Sequence, residues 1–182
     1  MKIVLENTTL PGVTLIKPLT FTDARGYFKE LYKQTNYTAV GIDFQFVQDN
    51  FSRSTCGVLR GLHFQPTRPQ GKLVCCLNGS VFDVAVDINP ASQTYKKWIG
   101  VELSDKNHHQ LWIPPGYAHG FLVLSESADL YYKCTELYDP SDDAGVYWAD
   151  ESIGIDWPTK SPELSLKDAN LPTLQDYWNS QQ

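Results

Sequence analysis

The sequence predicts an all-β fold, a sandwich or barrel of short strands. Three observations predict it. Ten β-type runs follow one another at nearly regular spacing, turn chemistry separates them, and helical periodicity is confined to residues 35–40 and the end of the chain. A βαβ fold is disfavoured, because parallel strands need a long, usually helical crossover between them.

The runs can be taken in order. Residues 13–16, 27–32 and 44–49 are β-branched or aromatic with polar residues interleaved. Residues 58–63 and 73–77 follow, and Asn78-Gly79 is tight-turn chemistry ahead of residues 81–88. Asn89-Pro90 stops that run, since proline cannot donate to a ladder. Residues 98–103 end in polar Ser104-Asp105-Lys106-Asn107, residues 110–113 end in rigid Pro114-Pro115-Gly116, and residues 120–124 and 130–135 complete the series. Within Leu59-Arg60-Gly61-Leu62-His63-Phe64, strict alternation puts Leu59, Gly61 and His63 on one face and Arg60, Leu62 and Phe64 on the other. Polar residues thus interrupt both faces, which fits a barrel whose interior holds a ligand cavity.

Composition sets the outer bounds. At 182 residues one domain spanning 1–182 is expected, and with 42% apolar, 13% aromatic and 20% charged residues the chain can bury enough surface to offset its conformational entropy. Apolar runs fall short of the ~20 residues a membrane span needs, and residues 1–6 show no signal-peptide core, so a cytoplasmic, membrane-free protein is expected. The net charge of −6 is unevenly placed. Residues 139–182 hold nine acids and two lysines, whereas residues 25–72 hold seven basic residues against three acids. Such a local basic stretch suits a small anionic ligand; a nucleic acid would want a wider positive field. Cys56, Cys75, Cys76 and Cys134 form no CxxC, so buried free thiols are expected instead of zinc or disulfides.

Two segments carry chemistry. Gly57-Val58-Leu59-Arg60-Gly61-Leu62-His63-Phe64-Gln65, followed by Gly71-Lys72, places a His, an Arg and a Lys on what read as neighbouring strands. Pro114-Pro115-Gly116-Tyr117-Ala118-His119-Gly120 sets a second His after a rigid turn. Together they resemble the two motifs of the cupin barrels, which implies a jelly roll with few short helices. A metal-binding cupin would read His-x-His followed by Glu; here His63-Phe64-Gln65 breaks the set, and two imidazoles make a poor site, so no metal and no other cofactor is expected. Free of metal, His63 suits a general base, though a hydrogen-bonded core histidine reads equally well. Such a base needs a partner to fix its tautomer; Asp168 is one supply, unselected by spacing among 21 acids. His108-His109, in a polar turn, reads as surface.

Six blocks then carry a closer resemblance: residues 46–50 (Phe-Val-Gln-Asp-Asn), 57–63, 71–74 (Gly-Lys-Leu-Val), 81–87 (Val-Phe-Asp-Val-Ala-Val-Asp), 110–114 (Gln-Leu-Trp-Ile-Pro) and 164–168 (Leu-Ser-Leu-Lys-Asp). From about Leu10 to Leu174 the chain is similar to the dTDP-4-dehydrorhamnose 3,5-epimerases. The resemblance implies a metal-free, homodimeric isomerase that inverts carbons 3 and 5 of dTDP-4-dehydro-6-deoxy-D-glucose. By motif position it implies His63 as base, Asp168 as its orienting carboxylate, Lys72 as the cation beside the enolate oxygen and Tyr132 as acid. It further implies substrate contacts from Arg25, Glu30, Gln48, Asn50, Arg60, His119, Asp143 and Lys167. Departures from the family pattern at Cys75, Leu137 and Asp143 bear on the nucleotide end. The dimer is expected to form by strand exchange or sheet extension near the N-terminus, because residues 27–32 alternate on both faces and an exposed edge needs covering. Two other readings stand beside the epimerase: an enzyme acting at one centre or isomerising the ketone, and a catalytically silent sugar-nucleotide-binding cupin.

Overall fold

The computed structural model describes residues 3–181. Val4–Asn7 (β1) pairs with Thr14–Lys17 (β2), Thr20–Asp23 (β3) with Gly26–Lys29 (β4), and Gln34–Thr38 (α1) is a short helix. Eight strands follow: Gln48–Thr55 (β5), Leu59–Phe64 (β6), Lys72–Asn78 (β7), Ser80–Asp87 (β8), Trp98–Ser104 (β9), Gln110–Ile113 (β10), Tyr117–Val123 (β11) and Ser127–Cys134 (β12). The C-terminal part adds Ala144–Gly145 (β13) and the helices Leu166–Ala169 (α2) and Leu174–Asn179 (α3). The strands form a six-stranded sheet in the order β1-β2-β10-β7-β12-β5, a five-stranded sheet β13-β6-β11-β8-β9 and a separate β3-β4 hairpin. This is the antiparallel, cupin-like sandwich that the sequence predicts.

Period-two alternation explains how the sheets pack. Val74 and Cys76, Val81 and Ala85, Leu111 and Ile113, Phe121 and Val123, and Ala128 and Leu130 all meet between the sheets. The opposite parity of the five-stranded sheet, Val84, Val86, Ala118 and Leu122, packs outward against Val146, Ile153, Trp157, Leu174 and Tyr177 of the C-terminal segment. On the far side of the six-stranded sheet, Leu73 and Trp112 pack with Ile16, Tyr37 and Ile42. The Asn78-Gly79 turn passes the chain from one sheet to the other. Gly79 (φ +76°) is required there, because a Cβ would stand 2.1 Å from the Ser127 carbonyl oxygen.

Four expectations shift. The run 27–32 is a strand only to Lys29: beyond it the Leu31 carbonyl accepts from the Tyr37 hydroxyl and the Gln110 amide, which draws the chain off the hairpin and onto the six-stranded sheet. The run 44–49 joins a ladder only from Gln48, since Phe44 and Phe46 turn their rings onto Trp112, at 5.0 and 5.9 Å between centroids. Of the four free thiols, Cys56 is exposed and the other three are buried.

The fourth shift matters most. Alternation in β6 is broken by a bulge: His63 pairs with His119 and Arg60 with Phe121, so Gly61 and Leu62 oppose the single Gly120. Arg60 and His63, which strict alternation separates, therefore both line the cavity, while Leu59, Leu62 and Phe64 all pack into the outer cluster. The backbones approach so closely here that a Cβ on Gly61 (φ +121°) would stand 2.5 Å from the Gly120 Cα.

Candidate active site

A cavity of about 500 Å³ opens between the two sheets, within the range that small-molecule sites occupy. His63 and Arg60 come from β6, and Lys72 from β7. These are not neighbouring strands: they belong to opposite sheets and converge across the cavity. Tyr132 reaches in from β12 on the Lys72 side, because β7 and β12 pair with Val74 opposite Tyr132 and Lys72 opposite Cys134.

His63 Nε2 lies 2.6 Å from Asp168 Oδ1. Facing a carboxylate, Nε2 carries the proton and donates, which leaves Nδ1 unprotonated and free to accept. Asp168 is 3% exposed and sits in the first turn of α2, whose cap is Ser165: the Asp168 amide donates to Ser165 Oγ at 3.0 Å. Burial works to raise the Asp168 carboxyl, but the hydrogen bond and charge of His63, with Ser165 and Lys167, hold it below its ordinary value.

The second imidazole is paired in the same way. His119, 7% exposed, donates from Nε2 to both oxygens of the fully buried Asp83, at 2.9 and 3.1 Å, and its ring stands edge-on to Tyr132 at 6.4 Å. Burial pushes the Tyr132 hydroxyl up to about 12, so it enters any reaction as a protonated donor. Lys72 is buried without a carboxylate at ion-pair distance among the described residues. Burial pulls its ammonium below the ordinary value, opposed by Cys134, Asp83 and Asp143. A desolvated cation with no ion-pair partner among the described residues is suited to an oxygen supplied by a ligand.

At the mouth, Tyr138 donates from its hydroxyl to Asp143 at 2.8 Å, and Asp143 also pairs with Lys167. Eight of the twelve residues singled out in the sequence thus line one cavity: His63, Lys72, Tyr132, Asp168, Arg60, His119, Asp143 and Lys167. The other four do not. Gln48 and Asn50 sit on the edge strand β5, on the inward-facing parity of cavity-lining Ser52, and bond to each other at 2.9 Å. Glu30 holds Asn36 outside the cavity, and Arg25, in the β3-β4 hairpin, is held in its own turn by Asp23. His108, beside Lys29 at 3.2 Å, lies outside the cavity as well.

Asp83, Tyr138, Gln65 and Ser165 were not singled out. Two of them had a signal: Ser165-x-x-Asp168 is helix-cap spacing that announces α2, and Asp83 shares the inward parity of Val81 and Ala85.

The sequence profile of the dTDP-4-dehydrorhamnose 3,5-epimerases matches residues 7–176. The dTDP-4-dehydrorhamnose 3,5-epimerase of Salmonella typhimurium is 51% identical over 177 residues, 96% of either chain. The crystal structure of dTDP-6-deoxy-D-glucose-3,5-epimerase from Legionella pneumophila, in complex with dTDP-4-keto-L-rhamnose, superposes with a TM-score of 0.93 at 47% identity, covering 95% of this chain and 93% of that one. A 3'-monoepimerase from Streptomyces bikiniensis in complex with dTDP-quinovose gives 0.89 at 31% identity, covering 96% and 89%. With its cavity, its paired imidazoles and this breadth of similarity, the chain belongs to the dTDP-4-dehydrorhamnose 3,5-epimerase family.

Proposed function

We propose that the protein inverts carbons 3 and 5 of dTDP-4-dehydro-6-deoxy-D-glucose to give dTDP-4-dehydro-L-rhamnose, with residues 1–182 acting as one catalytic domain. One observation carries the reading: His63 with Asp168 stands on one side of the cavity, and Tyr132 with Lys72 comes from the opposite sheet. Inversion at a carbon beside a ketone needs just this separation. His63 Nδ1 takes the hydrogen from carbon 3 or 5, and the C–H electrons pass through the carbonyl to the oxygen on carbon 4. Lys72 stabilises the resulting enolate oxygen. The Tyr132 hydroxyl then protonates the carbon from the other face, and both groups re-equilibrate with solvent. Arg60, Asp143 and Lys167 receive the nucleotide end.

The reaction needs no metal in this reading, since Gln65 stands where a second histidine ligand would be and no group of three His, Cys, Asp or Glu able to hold an ion occurs among the described residues. The active form is a homodimer. The β3-β4 hairpin holds Phe21, Tyr27 and Phe28 at 51, 50 and 67% exposure, a surface that a second copy covers while delivering Arg25 to the neighbouring cavity. A second reading, inversion at one centre, rests on the 31% identity to the monoepimerase.

Turnover in heavy water distinguishes these readings. Deuterium at both carbons with inversion at both supports the first, and inversion at one supports the second. His63→Ala stops exchange at both carbons. Tyr132→Phe still exchanges from the His63 face but returns starting configuration. Native exchange rates in His63→Ala would remove His63 from the mechanism.

A further inference from the structure

Residues 135–143 run from the end of β12 along the cavity mouth to β13 with no strand or helix of their own. Leu137 and Tyr138, at the centre of this strap, are 52% and 50% exposed, so apolar burial does not hold it down. Backbone groups outside a ladder need other partners. Three glutamine side chains supply them in succession. Gln70 Nε2 donates to the Glu136 carbonyl at 2.9 Å and Gln65 Nε2 to that of Leu137 at 3.2 Å. The Tyr138 amide donates to Gln48 Oε1 at 2.8 Å and the Asp139 amide to Gln65 Oε1 at 2.9 Å. The loop between Gln65 and Gln70 grips the strap in return: the amides of Thr67 and Arg68 donate to Asp142 at 3.0 and 2.8 Å, and the Arg68 guanidinium meets Asp139 at 2.5 Å. Gln65 is 3% exposed and spends a further bond on the Arg68 carbonyl at 2.9 Å, so both ends of its amide are committed.

We infer that these glutamines, Gln65 foremost, are positioning residues that clamp the strap in the arrangement competent for the nucleotide end of the substrate. The inference rests on the epimerase reading for the identity of the ligand. The strap carries Tyr138 and Asp143, and Asp143 joins Lys167 at the mouth. A loosened strap populates arrangements that cannot bind, and apparent affinity falls by the competent fraction. The reacting groups lie on β6, β7, β12 and α2, outside the strap, so substrate once bound turns over as before. The clamp therefore governs KM and not kcat, and it explains why a glutamine stands at the ligand position of the broken His-x-His: its amide donates to two main-chain carbonyls and accepts from a main-chain amide at once, whereas a neutral imidazole has one donor and one acceptor.

The test compares Gln65→Leu, Gln70→Leu and Gln65→Glu with the native chain. Four quantities are measured: calorimetric binding of dTDP, steady-state turnover, thermal melting, and chymotryptic cleavage after Leu137 and Tyr138 mapped by mass spectrometry. In Gln65→Leu the dTDP Kd and the KM each rise about tenfold while kcat stays within about twofold. Cleavage at the strap accelerates and saturating dTDP suppresses it. Gln65→Glu behaves like Gln65→Leu, since its carboxylate faces the Leu137 and Arg68 carbonyls, and Gln70→Leu shows the same split more weakly. Unchanged Kd and cleavage would overturn the inference, as would a fall in kcat at unchanged Kd. Should the native chain fail to bind dTDP, the functional reading fails, while the cleavage comparison still decides the clamp. Should Gln65→Leu not fold, Gln65→Glu and Gln70→Leu decide.

Discussion

Replacing Asp168 by Asn changes one oxygen to a nitrogen in a buried site and so tests the His63 pair with little change of shape. In the native chain the 2.6 Å contact fixes the proton on Nε2 and leaves Nδ1 as the base. Asn offers either its amide N–H, which forces the His63 proton onto Nδ1 and abolishes the base, or its neutral carbonyl, which keeps the tautomer and loses the charge. For the second case, unit charges about 4 Å apart at an effective dielectric of about 20 attract by ~4 kcal/mol, against ~1 kcal/mol for a neutral hydrogen bond. The imidazolium that forms on proton abstraction then loses ~3 kcal/mol, a rate factor of about 10². Where the wrong tautomer dominates, the loss grows to about 10³–10⁴.

The assay is single-turnover deuterium incorporation at carbons 3 and 5 in heavy water, beside steady-state kcat and KM. Exchange should fall at least about 10²-fold at both carbons with KM within about threefold. Stability moves too. The folded Asp168 carboxyl lies below its ordinary 3.8, so its contribution is present above that pH and is lost as pH falls through the folded value. Asp168→Asn should therefore melt lower near neutrality, with the gap narrowing in acid. Exchange within about fivefold of native would refute the orienting role.

Lys72→Met should cut turnover about 10²–10³-fold by removing the cation from the enolate oxygen, while melting at the same temperature or higher, because it relieves a buried ammonium of its desolvation cost. Since the folded Lys72 value lies below its ordinary 10.5, unfolding takes up a proton between the two, and native stability rises with pH through that window; urea titrations at several alkaline pH values should show this rise weakened in the variant. A lower melting temperature with intact turnover would contradict both expectations. On the proposed dimer, Arg25→Ala and His63→Ala should each be inactive alone yet recover activity when refolded together, because a mixed dimer would hold one site with a native His63 and a native Arg25 from the other copy. Absence of recovery in a verified heterodimer would place Arg25 outside the site.

The central strands were legible because their signal is local. Residues 110–113 coincide with β10, and the runs 58–63, 73–77 and 81–88 fall within one residue of the ends of β6, β7 and β8. At the margins the signal failed for stated reasons. Residues 44–47 alternate like a strand, yet their aromatic rings gain more by covering Trp112 than their backbone gains from a ladder. The strands β1 and β3 are short and largely exposed, with little apolar periodicity to read, whereas their partners β2 and β4 overlap the runs 13–16 and 27–32. The site residues themselves came from motif position; spacing alone did not select Asp168, whose carboxylate arrives 105 positions after His63 through the cap of a four-residue helix.

What a single strand cannot disclose is a feature that its neighbour imposes. Alternation read along β6 alone sends Arg60 and His63 to opposite faces, and a metal-free base would then stand without its anion-binding arginine. The extra residue that brings them together is defined only against β11, where Gly61 and Leu62 share one partner position with Gly120. Both glycines appear in the sequence, but their role is the absence of Cβ atoms at a crossing that the sequence does not pair: a Cβ on Gly120 would lie 2.8 Å from the Arg60 carbonyl oxygen, and one on Gly61 would lie 2.8 Å from that of His119. The same pairing carries His119 to His63 in register and Phe121 to Asp83 on the other side, so the His119–Asp83 pair is the diagonal of one strand ladder and the His63 position is the bulge of the next. His119, on β11, thus owes its pair to the β8 ladder, and His63 owes its orientation to the bulge against β11. Pairing β6 with β11 residue for residue from Arg60, without the bulge, would set His63 opposite Ala118 on the outer, apolar face and leave the His119 pair in place.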